Sequence, residues 1–174
     1  MNDQSVVAAQ IERPLRANID VEARCHLGLP IVVAVPPILD DGTPFPTRYW
    51  LSCPLAVRRV SRLESAGAIA RLEATVATEP DLKSQMDAVD DRYATERAAA
   101  LPPAADPAPS GGVGGNQGDG LKCLHAHFAD TAAGNVNPVG MMVRPYVEPL
   151  DCDQPCVRPA DSAVELNPDW REPR

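Results

Sequence analysis

The segment LKCLHAHFAD, residues 121–130, carries one cysteine and two of the chain's three histidines within five positions. Thiolate sulfur and imidazole nitrogen are ligands that zinc prefers, and a histidine can also activate a thiol as a nucleophile. Alanine-rich flanks and a following Gly-Asn pair predict that the segment is helical. Residues four apart share a helix face, so we expect Cys123 to pair with His127. His125 then points away and serves as a hydrogen-bond partner or an alternate ligand.

A structural zinc ion normally has four ligands, so Cys123 and His127 need two more. Cys25 and Cys53 are the natural additions, because each lies at the inner end of a predicted strand. Cys53 also directly precedes a predicted helix start, where backbone N–H groups favour a thiolate. We therefore expect the sulfur and nitrogen atoms of Cys25, Cys53, Cys123 and His127 to converge to within about 4 Å of one another around one ion.

Other interpretations of the cysteines stay open. Cys25 and Cys53 taken alone fit small buried apolar residues, which is a common role of free cysteine. Zinc is the expected metal, but three thiolates and a histidine can also hold an iron–sulfur cluster. Cys152 and Cys156, in CDQPC, form a second candidate pair with looser spacing than a usual zinc knuckle.

The glycine-rich segment GGVGGNQGDG, residues 111–120, resembles a loop that cradles phosphate. Gly114 and Gly115 would let backbone N–H groups approach an anion, and Lys122 would add a positive charge. The segment is neither GxxxxGK[ST] nor a GxGxxG that follows a strand, and a proline-rich stretch precedes it. A flexible hinge is therefore the favoured interpretation, with the phosphate site as the alternative.

Charge and hydropathy argue against nucleic-acid binding and against membrane insertion. The net charge is −8, and the 16 Lys and Arg residues do not cluster, so nucleic acid is not an expected partner. No apolar run approaches the ~20 residues that span a bilayer, and the N-terminus does not resemble a secretion signal. We expect a cytoplasmic protein without membrane insertion. Thiols stay reduced in that compartment, so the five cysteines suggest ligands, reactive groups or core residues.

The periodicity of the first half of the chain predicts how these residues are positioned. Alternation in IDVEARC and two further apolar runs predict strands at about residues 19–25, 31–35 and 47–53, joined by turns. Apolar stripes at helical spacing predict long helices after Pro54 and after Asp81. The expected fold class is α+β: a small N-terminal, mostly antiparallel sheet packed with three to four helices in a single domain.

The composition of the second half divides the chain further. Residues 102–120 are rich in proline and then in glycine, which predicts a mobile connector inside a single domain that covers residues 1–157. Residues 158–174 are polar and contain prolines, so we expect an extended or disordered tail.

Several motifs together resemble a known family. RCHLGLPIVV, DDGTPFPTRYWLSCP, RLESAG, GVGG followed by KCLHAH, and NPVG are similar to domain of unknown function family 501, found mainly in actinobacteria. The resemblance covers about residues 5–157. It implies a cytoplasmic bacterial protein whose gene lies near those for enolase, a septum-formation initiator and an exopolyphosphatase-like phosphatase. That neighbourhood implies a link to cell division or phosphate metabolism by association.

The family pattern falls on particular residues of this chain. Many members of the family have a second cysteine two residues after the position of Cys25. In this chain that position is Leu27. The matching positions are Cys25, Gly28, Pro30, the turn 42–46, Cys53, Pro54, Glu64, Gly67, Gly114, Gly115, Lys122, Cys123, His125 and His127.

Three hypotheses about function follow. The first is a protein with a structural or regulatory zinc site. The second is a thiol-dependent or phosphate-handling enzyme that uses the glycine-rich loop and Cys123. The third is an interaction module for division proteins that uses its helical faces. A deep pocket between GVGG and CLHAH favours the second hypothesis, and a large exposed apolar patch on the helices favours the third.

Overall fold

The computed structural model describes residues 1–103, 105–118, 120–161 and 163–173. The described chain contains six α-helices, one 3-10 turn and five strands, which confirms the α+β class. The helices are α1 (Asp3–Gln10), α2 (Pro54–Ser65), α3 (Ala68–Thr78), α4 (Pro80–Ala99), α5 (Leu124–Ala132) and α6 (Pro138–Val147). The strands are β1 (Asp20–Arg24), β2 (Pro30–Ala34), β3 (Tyr49–Leu51), β4 (Val157–Ala160) and β5 (Ala163–Leu166), and the 3-10 turn is Val113–Gly115.

The first three strands form an antiparallel sheet in the order β1-β2-β3. Strand β1 alternates between exposed and half-buried residues, as its sequence pattern predicts, and it lies at the edge of the sheet. Strand β2 is central and nearly continuously buried, with Val32 opposite Leu51 and Val33 opposite Trp50. The three predicted strands are thus present within a few residues of their expected bounds. A second sheet, the antiparallel pair β4-β5, lies near the C-terminus, so the sheet structure is not confined to the N-terminal part.

The predicted long helix after Pro54 is divided in two. Gly67 adopts a left-handed conformation with φ of 78°, which ends α2 and allows α3 to begin at Ala68. Proline stands at the first position of α2 and of α4, where its missing N–H costs no helical hydrogen bond. Leu55, Val60 and Tyr93 from these helices are completely buried in one continuous core.

Helix α6 has no counterpart among the predicted helices. Asn137 caps its N-terminus by accepting a hydrogen bond from the Gly140 N–H at 3.0 Å, and Pro138 occupies the first turn. Gly140 faces α5 so closely that a Cβ there would overlap the Thr131 hydroxyl and the His127 carbonyl. Glycine is therefore required where the two helices cross.

The segment predicted to be a mobile connector returns along the surface of α4. The Val113 N–H donates to the Asp90 carboxylate at 2.7 Å, and the residues of the 3-10 turn are buried. Arg97, which is only 3% exposed, donates to the carbonyl oxygens of Pro46 and Gly112 at 3.2 and 3.4 Å. The glycine-rich half of the connector thus contacts α4 through specific hydrogen bonds.

The segment predicted to be an extended or disordered tail contains β4 and β5. After β5, Trp170 packs into the core with 8% of its surface exposed, and the Arg58 guanidinium lies 4.7 Å from the centre of its ring. Among the described residues, no helix combines the length and the apolar character needed to cross a membrane.

Candidate metal centre and adjoining cavity

The local structure at Cys123 determines which histidine it meets. Cys123 is the N-cap residue of α5, with extended φ and ψ of −162° and 123°, so it lies outside the helix. The spacing rule for residues within a helix therefore does not apply to it. Its Sγ lies 3.5 Å from Nδ1 of His125. The structure thus pairs Cys123 with His125, whereas helical spacing in the sequence predicts a pairing with His127.

Glu64, near the end of α2, completes this group. One of its carboxylate oxygens, Oε1, lies 3.3 Å from Nδ1 of His125 and accepts a hydrogen bond from the Leu124 N–H at 2.7 Å. The ligand atoms of Glu64, Cys123 and His125 all lie within 4.8 Å of one another. Within the part of the chain that the structure describes, this is the one group of three or more His, Cys, Asp or Glu side chains that converges so closely.

The other ring nitrogen of His125 is oriented by α2. Its Nε2 lies 3.3 Å from the Val57 carbonyl oxygen and 3.2 Å from the Ser61 hydroxyl. A proton on Nε2 satisfies the carbonyl and leaves the lone pair of Nδ1 directed toward Cys123 and Glu64. Burial lowers the pKa of His125, but the hydrogen bond with Cys123 and the electrostatic effect of Cys123 and Glu64 outweigh burial and raise it. The environment is therefore suited to a positive charge.

His127 occupies a different environment. It is 2% exposed, and its Nδ1 accepts a hydrogen bond from the Asn137 amide nitrogen at 3.1 Å. The same amide nitrogen donates to the buried carboxylate of Asp130 at 2.9 Å, and Arg92 binds that carboxylate at 2.6 Å. Burial lowers the pKa of His127. This histidine therefore connects α5 to the start of α6 and does not face Cys123.

Cys25 and Cys53 lie away from the Cys123 group and line a separate small pocket together with Cys152 and Cys156. The four ligands predicted from the sequence therefore do not converge, since Cys123 and His125 face one space and Cys25 and Cys53 face another. Burial raises the pKa of the Cys53 thiol to about 12 and also raises that of Cys156.

A cavity of about 850 Å³ adjoins Cys123 and His125. Gly114 and Lys122 line it too, so a single pocket joins the glycine-rich loop to the CLHAH segment. Gly115 packs against Pro46, because a Cβ at this glycine would lie 2.7 Å from the proline ring. Its role in the structure is close packing of the loop.

The cavity wall combines positive charge with flat apolar surfaces. Besides Lys122, it contains the guanidinium groups of Arg13 and Arg58, which lie over the rings of Trp50 and Trp170 at 5.1 and 4.7 Å. Glu12 contributes one carboxylate to the lining, so positive groups outnumber it by three to one. Such a wall suits an anion that also carries an apolar or planar group.

Comparison with known proteins gives one match. The family model described as "Protein of unknown function (DUF501)" matches residues 21–145, more than two thirds of the chain. The chain belongs to the DUF501 family. No curated protein and no solved structure matches it. The DUF501 match includes Glu64, Cys123 and His125, and it ends before Cys152 and Cys156.

The sequence alone does not indicate that Glu64 belongs to a group that could hold a metal ion. The sequence singles out Glu64 only as part of RLESAG, a motif that resembles the family pattern. That resemblance gives this residue no role. An isolated glutamate sixty residues from its partners gives no spacing pattern, and only the packing of α2 against α5 brings it to His125.

Proposed function

We propose that the protein binds a zinc ion through Glu64, Cys123 and His125 and presents that ion to an anionic ligand in the adjoining cavity. The observation that carries this proposal is the convergence of Glu64, Cys123 and His125, of which Cys123 and His125 line a large cavity. The site is then a functional one, which extends the expectation of a structural or regulatory metal.

The distances suit a tetrahedral ion. Ligand atoms bound at about 2.0–2.3 Å from zinc in a tetrahedron lie roughly 3.3–3.8 Å from one another. The separations of 3.5 Å between Cys123 and His125 and 3.3 Å between His125 and Glu64 are within this range. The hydrogen bond between Nε2 of His125 and the Val57 carbonyl is the kind of contact that orients a zinc-binding imidazole.

The chemistry of the three atoms favours zinc over an iron–sulfur cluster. Clusters are held mainly by several thiolates, and this group contains one. A set of one sulfur, one nitrogen and one oxygen suits zinc, and three protein ligands leave a fourth position for a bound ligand. A zinc ion held by Glu64, Cys123 and His125 would supply Lewis-acid chemistry to an oxygen of a ligand in the cavity.

The cavity residues define the class of ligand. Arg13, Arg58 and Lys122 supply positive charge, and the tryptophan rings supply apolar surface. A phosphate or carboxylate attached to a planar or apolar group matches both features. We place this function in the cytoplasm, where a zinc-binding thiol stays reduced.

Metal content tests the proposal with a matched pair of variants. Glu64→Gln removes the ligand charge but keeps an oxygen that can accept the Leu124 N–H. Glu73→Gln is the control, because Glu73 accepts the Leu121 N–H at 2.8 Å in the same manner and lies outside the converging group. We expect E64Q to lose one zinc ion per chain, or to bind it at least about tenfold more weakly. E73Q should retain it, and equal zinc content in both variants would refute the site.

A second candidate function is thiol-dependent catalysis. The observation in its favour is that the single cavity touches the glycine-rich loop as well as Cys123 and His125. In a nucleophilic triad, however, the thiol and the carboxylate face opposite nitrogens of the histidine. Here Cys123 and Glu64 both face Nδ1, which favours metal binding.

Alkylation of Cys123 distinguishes the two functions. Zinc-loaded protein should protect Cys123 from iodoacetamide, and removal of zinc should expose it. Rapid alkylation that does not depend on zinc, with loss of labelling in His125→Asn, would support the thiol enzyme instead.

A further inference from the structure

Four cysteines from three separate segments of the chain line the same small pocket. Cys25 directly follows β1, Cys53 is the N-cap of α2, and Cys152 and Cys156 belong to the loop before β4. The pocket has a volume of about 10 Å³. That is close to the space of one small sphere, enough for a single ion and too small for an iron–sulfur cluster.

The loop that carries Cys152 is attached to the rest of the domain from two sides. The two ring nitrogens of His26 lie 3.1 and 3.0 Å from the carbonyl oxygens of Leu150 and Cys152. Arg59 donates to the carbonyl oxygens of Val147 and Pro149 at 2.7 and 2.6 Å. These contacts place Cys152 beside the end of β1 and fix the loop that brings it to the shared pocket.

Polar groups point at two of the sulfur atoms. The indole N–H of Trp170 donates to Sγ of Cys152 at 3.4 Å, and the amide nitrogen of Gln10 lies 3.6 Å from Sγ of Cys156. The same Gln10 nitrogen also donates to the Pro30 carbonyl oxygen at 2.9 Å. N–H groups directed at sulfur are typical of the shell around thiolates that bind a metal.

We propose that Cys25, Cys53, Cys152 and Cys156 bind a second zinc ion in a closed structural site. Four thiolates and no open position are characteristic of structural zinc. This site shares no ligand with the Glu64, Cys123 and His125 group and does not depend on it. It joins the N-terminal sheet, the start of α2 and the C-terminal loop, so the ion stabilises the attachment of the chain's two ends.

Zinc binding requires a contraction of the pocket. Sulfur atoms bound at about 2.3 Å in a tetrahedron lie roughly 3.8 Å from one another. No three of these sulfurs lie within 4.8 Å of one another as the Glu64 group does. The loop at 151–156 has no regular secondary structure, so we expect it to move inward when the ion binds.

The experiment separates the two sites by removing the first one. The double variant Glu64→Gln/Cys123→Ser keeps all four cysteines of the second site. We expect it to bind one zinc ion, with an X-ray absorption spectrum that shows only sulfur neighbours at about 2.3 Å. Nitrogen or oxygen neighbours at about 2.0–2.1 Å, or no bound zinc, would refute the second site while leaving the first untouched.

Three further measurements complete the test. Zinc should protect the same four cysteines of the double variant from alkylation, as read by peptide mass spectrometry. Mapping without reductant identifies disulfides, and a disulfide among these four cysteines in protein purified anaerobically would overturn the proposal. Cys152→Ser/Cys156→Ser in the otherwise intact chain should bind one zinc ion with mixed sulfur, nitrogen and oxygen neighbours. The measurements on the double variant remain decisive if this second variant does not fold.

Discussion

At the scale of single residues, the side chains that contact each histidine determine its environment. His125 and His127 are two positions apart, yet one lies at the cavity beside a thiol and a carboxylate, and the other is buried against an amide. The sequence predicted that Cys123 pairs with His127, whereas its sulfur lies beside His125 in the structure, because the pairing depends on whether the helix begins at Leu121 or at Leu124. A difference of three residues moves Cys123 out of the helix, and helix ends are the positions that local sequence specifies least.

The buried state of His127 predicts a pH effect on stability. Burial lowers its pKa in the folded protein, so protons bind the unfolded chain more readily. This contribution to stability is complete above the ordinary value of 6.5 and is lost as the pH falls below it toward the folded pKa. We expect the free energy of unfolding of zinc-free protein to fall with a slope of up to about 1.4 kcal/mol per pH unit from this histidine.

The variant His127→Asn tests this effect, since asparagine keeps an acceptor but does not titrate. Denaturant unfolding between pH 7.5 and 5 should show a shallower slope for the variant. The difference that remains at pH 7.5 measures lost packing alone. Parallel slopes in the two proteins would show that His127 does not contribute to the pH dependence.

At the scale of secondary structure, strands were predictable and one helix was not. The period-two pattern of β1 and the apolar run of β2 predict strands from local sequence. The burial of these residues in the structure agrees with both patterns. Helix α6 contains Gly140 and Pro145 in its interior, two residues with low intrinsic helix propensity. Tertiary contacts outweigh that propensity, because Gly140 permits α6 to cross α5 at close range.

Replacing Gly140 by alanine should force α5 and α6 apart. The added methyl group would overlap the Thr131 hydroxyl and the His127 carbonyl, and the second of these is backbone that cannot rotate away. We expect a loss of about 1–3 kcal/mol in the free energy of unfolding, measured by denaturant titration. Gly118→Ala is the control, since nothing lies within 4 Å of its Cβ position. A G140A variant as stable as G118A would contradict the close crossing.

At the scale of the whole molecule, the C-terminal segment is part of the core. The polar composition of residues 158–174 does not predict that the segment packs into the core. One buried tryptophan, Trp170, is enough to attach this otherwise polar segment. Trp170 contacts Cys152 and Arg58, and Glu172 forms ion pairs with Arg59 and Arg62. Local composition cannot show such contacts, since the three arginines lie more than a hundred residues away in the chain.

Truncation of Trp170 should therefore destabilise the entire domain. We expect Trp170→Ala to lower the free energy of unfolding by about 3 kcal/mol, because a large buried ring is lost. Tyr146→Ala is a suitable control, since that ring is 68% exposed and its removal should cost less than about 0.5 kcal/mol. Thermal unfolding measures both, and equal melting temperatures for the two variants would show that the C-terminal segment contributes little.

Gln10, Cys156 and Trp170 line both the large cavity and the four-cysteine pocket, so one wall separates the two spaces. If zinc draws the cysteine loop inward, this wall moves, and the affinity of the cavity for its ligand changes. Thermodynamic reciprocity then requires the ligand to change the affinity for zinc by the same factor. The shared wall would make the protein a sensor, in which the supply of zinc in the cell sets how strongly the cavity retains its anion.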